Sequence, residues 1–204
     1  AKVSLPGGCA IGSRPINFHL DALKKMGAKI KIKDGYIFAS AQNGLKGCTI
    51  KFPKISVGAT ENILIAACFA KGETKLRNCA VEPEINDLIN FLKKLGCKIK
   101  QIGKRSINVL GVGELKSTVH RVIFDRIETG TYIIAAALTK GRLKIKNINP
   151  KIMSTEIRLL QKMGVDIIKK KNYIIASRSK KLKGLNIVTK PYPGFPTDLQ
   201  AQIM

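Results

Sequence analysis

Apolar and polar positions along the chain follow two rhythms. Ile85, Leu88, Ile89 and Leu92 recur at the i, i+3, i+4 spacing of a helix with one buried face. Lys29-Ile30-Lys31-Ile32-Lys33 alternates strictly, as a half-buried strand does. Asp34-Gly35 then predicts a tight hairpin turn into a returning strand, Tyr36-Ile37-Phe38-Ala39. The longest apolar run, residues 63–70, is far shorter than the ~20 residues of a membrane span and predicts a buried helix.

The pattern recurs. Asp21-Ala22-Leu23-Lys24-Lys25-Met26-Gly27-Ala28-Lys29-Ile30 is echoed by Asn90-Phe91-Leu92-Lys93-Lys94-Leu95-Gly96-Cys97-Lys98-Ile99, and again by Arg158-Leu159-Leu160-Gln161-Lys162-Met163-Gly164-Val165-Asp166-Ile167. Gly27, Gly96 and Gly164 are 69 and 68 residues apart; Pro15, Pro83 and Pro150 are 68 and 67 apart. Leu45-Lys46, Leu115-Lys116 and Leu182-Lys183 follow at 70 and 67. Three markers sharing one period predict an internal repeat.

Each marker has a physical role. Proline suits the first helical position, where its missing N–H is not needed, and glycine ends the helix in a left-handed cap. Leu-Lys then opens an extended segment. A second helix is expected over 59–71, stopped by Gly72 and followed by a strand over 74–77; its counterparts are 131–140, Gly141 and 142–145. The unit is therefore β-α-β-α-β-β, about 68 residues long. The first copy lacks its front, and a fourth begins near Leu182 and is cut within 197–200. The expected fold class is α/β (α+β), with units wound about a pseudo-threefold axis and roughly half of a longer repeat protein present. Ala1-Lys2-Val3-Ser4 has neither an initiator Met nor a signal-peptide core and reads as an internal cut. A long extended segment over 115–123 predicts a division into 1–122 and 123–204, with the active site in the cleft between.

The 204 residues suffice for one large or two modest domains, and 45% hydrophobic content excludes a disordered chain. Five cysteines without a C-x-x-C pair disfavour a zinc site and a disulfide scaffold and suit a reducing cytoplasm. No cofactor or metal is implied. A net charge of +24 suggests nucleic acid. However, 29 of the 37 basic residues are lysines spread along loops and strand edges, and 5% aromatic content offers no stacking platform. The surplus attracts anions without naming them.

Candidate chemistry lies where the repeat pattern breaks. Cys9 sits in Leu5-Pro6-Gly7-Gly8-Cys9-Ala10-Ile11-Gly12-Ser13-Arg14-Pro15, flanked by glycines and followed by an arginine that can lower its pKa. Successive helices are opened by Ser56-Val57-Gly58-Ala59-Thr60, by Asp125-Arg126-Ile127-Glu128-Thr129-Gly130-Thr131, and by Phe195-Pro196-Thr197-Asp198. Converging helix amino ends would form an anion site, to which Lys54 adds charge. Ser56 and Thr197 also read as ordinary N-caps, and Asp125, Arg126 and Glu128 as a surface ion pair.

These motifs, together with Glu82-Pro83-Glu84-Ile85 and the run through Gln202, resemble the UDP-N-acetylglucosamine enolpyruvyl transferases (1-carboxyvinyltransferases) from the first residue to the last. The resemblance implies a bacterial, cytoplasmic enzyme of two domains, each of three such units. It would transfer the enolpyruvyl group of phosphoenolpyruvate to the 3-hydroxyl of UDP-N-acetylglucosamine, releasing phosphate, in the first committed step of peptidoglycan synthesis. By the same resemblance Cys9 is the general acid and the residue alkylated by fosfomycin, and Asp198 is a candidate general base. Arg14, Pro15, Ile16, Asn17 and Phe18 match the uridine segment. Lys54, Ile55, Ser56 and Val57 with Gly58 match the diphosphate segment, and Arg126 and Glu128 the cleft. Asn17 stands where the commoner family pattern has an aspartate, though its amide still offers a carbonyl acceptor. The family's phosphoenolpyruvate-binding arginines lie outside this chain, so the remainder of its own chain is needed and this half alone is expected to be inactive. The rival readings are the shikimate-pathway enolpyruvyl transferase and a basic nucleic-acid-binding repeat protein.

Overall fold

The computed structural model describes residues 1–7 and 16–204, and Cys9, Arg14 and Pro15 lie outside the described residues. The chain forms two units, Ala1–Arg121 and Val122–Met204. The first contains β1 (Lys2–Ser4), α1 (Asn17–Lys25), β2 (Lys29–Lys33), β3 (Tyr36–Ser40), β4 (Thr49–Lys51), α2 (Val57–Cys68), β5 (Glu73–Arg77), α3 (Pro83–Lys94), β6 (Lys98–Gln101) and β7 (Ser106–Leu110). The second contains α4 (Arg126–Leu138), β8 (Arg142–Lys146), a 3₁₀ turn at Pro150–Met153, α5 (Ser154–Lys162), β9 (Asp166–Lys169) and β10 (Tyr173–Ser177). It ends with a 3₁₀ turn at Thr197–Leu199 and α6 (Gln200–Ile203).

From β4 to β7 the chain completes one β-α-β-α-β-β copy, as the repeat predicts. Its sheet has the order β4-β5-β7-β6, with β4 parallel to β5 across α2 and the remaining pairs antiparallel. The other sheets, β1-β3-β2 and β8-β10-β9, reproduce the β5-β7-β6 order without the parallel strand. β1, β5 and β8 are therefore counterparts. After β5 and β8 the chain reaches its next helical segment through residues 78–82 and 147–149, each connection opening on an asparagine, Asn78 or Asn147, near φ +60°. After β1 the connection is residues 5–16, the longer stretch that holds Cys9.

The repeated glycines close α1, α3 and α5 in one way. Gly27, Gly96 and Gly164 have φ of +97°, +101° and +101°, a region that disfavours any residue with a Cβ. In each copy the next N–H reaches back to close the helix: Ala28 to the Leu23 carbonyl, Cys97 to Leu92 and Val165 to Leu160, all at 3.0 Å. The Leu-Lys marker completes the motif. The N–H groups of Lys46, Lys116 and Lys183 donate to the carbonyls of Met26, Leu95 and Met163, which directly precede the glycines. Asp34 and Gly35 both take positive φ, +50° and +74°, in the predicted hairpin.

Several expectations need correction. α2 and α4 begin two and five residues before the expected 59 and 131, because side chains at Ser56 and Asp125 cap them there. α2 also stops at Cys68 rather than Lys71. The Lys71 N–H donates to Leu45 and its carbonyl accepts from Gly47, so these groups serve a parallel bridge instead of the helix. Of the three Leu-Lys segments only the first leads to a strand, β4. Residues 111–125 form no strand: Lys94 Nζ donates to the Val119 carbonyl, and His120 Nε2 lies 3.1 Å from Asp87 Oδ1, so the segment is tied to α3 instead.

Each unit has its own core. In the first, Ile63, Leu64 and Ala67 of α2 pack with Ile85 and Ile89 of α3 and with Leu76, Ile107 and Val109 of the sheet. In the second, Ile133 and Ala137 pack with Met153, Ile157, Leu160 and Ile174. Charge is sorted across the sheets. All six edge strands carry lysine or arginine, from Lys2 in β1 to the Lys29, Lys31 and Lys33 series of β2, whereas three of the four inner strands, β3, β7 and β10, carry no charged residue and the fourth, β5, carries Glu73, Lys75 and Arg77. No helix of the described residues is long and apolar enough to cross a membrane.

Candidate active site residues

In the first unit the fold brings two of the expected segments together. Ile16 caps α1, its carbonyl accepting from the N–H groups of His19 and Leu20, and leaves Asn17 exposed. Phe18 turns inward and packs on the core. Phe52 is almost fully buried and fixes the approach to α2, its carbonyl accepting from Asn78 Nδ2 at 2.8 Å. Lys54, two residues on, is thereby held at the surface, while Ile55 and Val57 pack on the core. Ser56 Oγ accepts from the Ala59 N–H at 3.2 Å, which makes it an N-cap. Gly58 lies against α1: a Cβ added there would stand 3.5 Å from Cε1 and 3.7 Å from Nε2 of His19. Residues 16–19 and 54–58 thus adjoin each other.

The amino ends of α2 and α4 differ electrostatically. α2 has a neutral cap and no acidic residue in its first turn, so its partial positive charge stands beside Lys54 without an offset. At α4 the Asp125 carboxylate takes the Ile127 and Glu128 N–H groups at 2.7 and 3.1 Å, and Glu128 adds a second acid to the same turn. An anion is therefore favoured at α2 and repelled at α4. The caps share one further device, since Thr60 and Thr129 donate to the carbonyls of Ser56 and Asp125 at 2.7 and 2.8 Å.

In the second unit Asp198 is the exposed middle residue of the 3₁₀ turn whose N-cap is Pro196. Beside it, fully buried Leu199 fills the space a Cβ on Gly130 would need, with Cδ1 2.7 Å from that position. Gln202 Nε2 donates to Thr131 Oγ1 at 3.2 Å. These contacts seat the Asp198 turn on α4. Arg126 is not at the surface. It is 6% exposed, its guanidinium donates to Glu156 Oε1 at 3.0 Å, and it lies 5.5 Å from the centre of the Tyr192 ring. Sequence reasoning missed His19, Glu156 and Tyr192, whose roles depend on contacts with distant residues that no local pattern announces. Among the described residues no cluster of three His, Cys, Asp or Glu could hold a metal.

Cys68, Cys79 and Cys97 are buried and Cys48 is half-buried. Burial pushes the Cys79 thiol up to about 11, against opposing contributions from Arg77, the Ile107 backbone and Arg105. Cys68 is raised further by burial and by a hydrogen bond with Cys97, and Cys48 is raised by burial against the charge of Lys25. The thiolate is the reactive form. Brief alkylation of the folded full-length protein at neutral pH is therefore expected to label Cys9 ahead of the other four, as read by mass-spectrometric mapping. Faster labelling of any other cysteine would exclude the activated Cys9 loop.

A match to the EPSP synthase (3-phosphoshikimate 1-carboxyvinyltransferase) family extends over residues 1–204. Among several relatives that bear the name UDP-N-acetylglucosamine 1-carboxyvinyltransferase, two illustrate the similarity. The one from Pelagibacter ubique is 62% identical over 204 residues, and the one from Endomicrobium trichonymphae is 53% identical over 203. All of this chain is covered in both, against 49% of each relative, so the chain spans about half the length of the relatives it matches. The crystal structure of the enolpyruvyl transferase NikO from Streptomyces tendae superposes with a TM-score of 0.84 at 24% identity, covering 100% of this chain and 49% of that one. The fold is that of about half of an enolpyruvyl transferase.

Proposed function

The chain belongs to the EPSP synthase (3-phosphoshikimate 1-carboxyvinyltransferase) family, and from that membership we propose that the whole protein transfers the enolpyruvyl group of phosphoenolpyruvate to the 3-hydroxyl of UDP-N-acetylglucosamine. Phosphate is released, and the product enters bacterial peptidoglycan synthesis in the cytoplasm. The observation that carries this reading is the junction of residues 16–19 with 54–58, where Lys54 and the α2 amino end provide for a diphosphate. The names of the 62% and 53% identical relatives support the same acceptor.

In this reading Cys9 delivers a proton to the methylene carbon of phosphoenolpyruvate, and Asp198 accepts the proton of the sugar hydroxyl as its oxygen attacks the neighbouring carbon; the adduct then loses phosphate from that carbon and a proton from the new methyl group, which restores the double bond. Arg14 to Phe18 receive the uridine, and Lys54 to Gly58 the diphosphate. Glu128 adjoins the Asp198 turn through α4, while Arg126 supports that helix from within. The other half of the chain supplies the groups that neutralise the carboxylate and phosphate of phosphoenolpyruvate.

The deciding experiment is phosphate release by the full-length protein with phosphoenolpyruvate and either UDP-N-acetylglucosamine or shikimate 3-phosphate. Turnover with the nucleotide sugar alone is expected. Turnover with shikimate 3-phosphate alone would replace the acceptor and leave the family unchanged.

A further inference from the structure

The ring of His19 has a placement that its helix alone does not explain. It projects from the first turn of α1 and rests on Gly58 in the first turn of α2, a residue far away in sequence. The side chain is half-buried, and burial lowers its pKa below the usual histidine value, so it is neutral at pH 7 with one N–H to donate. Among the described residues the ring has no hydrogen-bond partner. Beside it stand the amino end of α2, which carries a neutral cap and no acidic residue in its first turn, and the loop bearing Lys54.

We propose that the His19 imidazole donates a hydrogen bond to a diphosphate oxygen of the nucleotide sugar, acting as a third binding group beside Lys54 and the α2 amino end. This rests on the functional reading above and adds a residue to it. The geometry divides the labour: residues 16–18 approach the site from α1, residues 54–58 from α2, and His19 is the α1 side chain that reaches across to Gly58. A neutral donor suits this place, because a second full positive charge beside Lys54 and the helix end would be held at the expense of its own solvation. The partial charge of an imidazole N–H adds a directed bond without that burden.

The test uses the full-length protein and two probes, UDP and uridine, titrated by calorimetry, with thermal unfolding as a control. His19→Leu keeps the apolar contact with Gly58 and removes the donor, whereas His19→Gln offers an amide N–H near the Nε2 position. A hydrogen bond to a charged acceptor contributes enough that His19→Leu is expected to weaken UDP binding about 10- to 100-fold. Uridine binding should be unchanged, and His19→Gln should recover most of the loss. Equal weakening of UDP and uridine would overturn the proposal and make His19 a packing residue. Unchanged UDP binding in both variants would also overturn it while leaving the enzyme assignment intact. Absence of UDP binding in the unaltered protein would remove the functional reading itself, and this proposal with it.

Discussion

Replacement of Asp198 by asparagine in the full-length protein is expected to lower kcat by about 10²–10⁴-fold while leaving KM for UDP-N-acetylglucosamine nearly unchanged. The acceptor hydroxyl is neutral until attack begins, so a base contributes chiefly as the proton departs, and loss of a group acting only in the transition state appears in kcat. The fold separates this role from a structural one. Pro196, not Asp198, occupies the N-cap of the 3₁₀ turn, and the turn is seated through Leu199 on Gly130 and Gln202 on Thr131. The isosteric amide should disturb none of these contacts. Steady-state kinetics with both substrates varied provides the check, and near-normal kcat would leave the base unassigned.

Glu156→Ala is expected to destabilise the protein by about 3–5 kcal/mol, because it leaves the Arg126 guanidinium buried without its carboxylate. The pair is almost wholly removed from solvent, with Arg126 6% and Glu156 1% exposed, so screening by water offers little relief. The same pair distinguishes two roles for Arg126. If its charge serves packing, Glu156→Ala lowers the denaturant midpoint, and enzyme that remains folded keeps its KM values. A change below about 1 kcal/mol with a large rise in KM for either substrate would instead assign the guanidinium to ligand binding.

What the sequence disclosed was local. The cap glycines could be read because a left-handed residue at a helix end is a requirement of a few adjacent residues, and the three copies meet it with one hydrogen-bond pattern. The Lys29-to-Lys33 alternation and the Asp34-Gly35 turn were legible for the same reason. Helix starts were legible as the opening motifs at Ser56 and Asp125 but not as exact bounds: α4 begins in a polar stretch, and its apolar run comes only from Tyr132. Strand status over 115–123 and after Leu182-Lys183 depended on partners elsewhere in the chain, which the local pattern does not contain. The candidate site divides likewise. Ser56 and Asp198 lie in recognisable motifs, whereas His19 against Gly58 and Arg126 against Glu156 are meetings of distant segments.

The sorting of charge across the sheets bears on how the protein behaves in solution. An edge strand presents unpaired N–H and C=O groups to any other molecule, and lysines along it keep a second copy away through repulsion. At about 1 M salt the screening length falls to ~3 Å, and that repulsion is largely lost. Salt should then favour self-association, visible in light scattering as a rise in apparent mass. Nucleic-acid binding weakens as salt is added. The sign of the salt effect therefore tells whether this lysine surplus gathers polyanions or keeps copies of the protein apart.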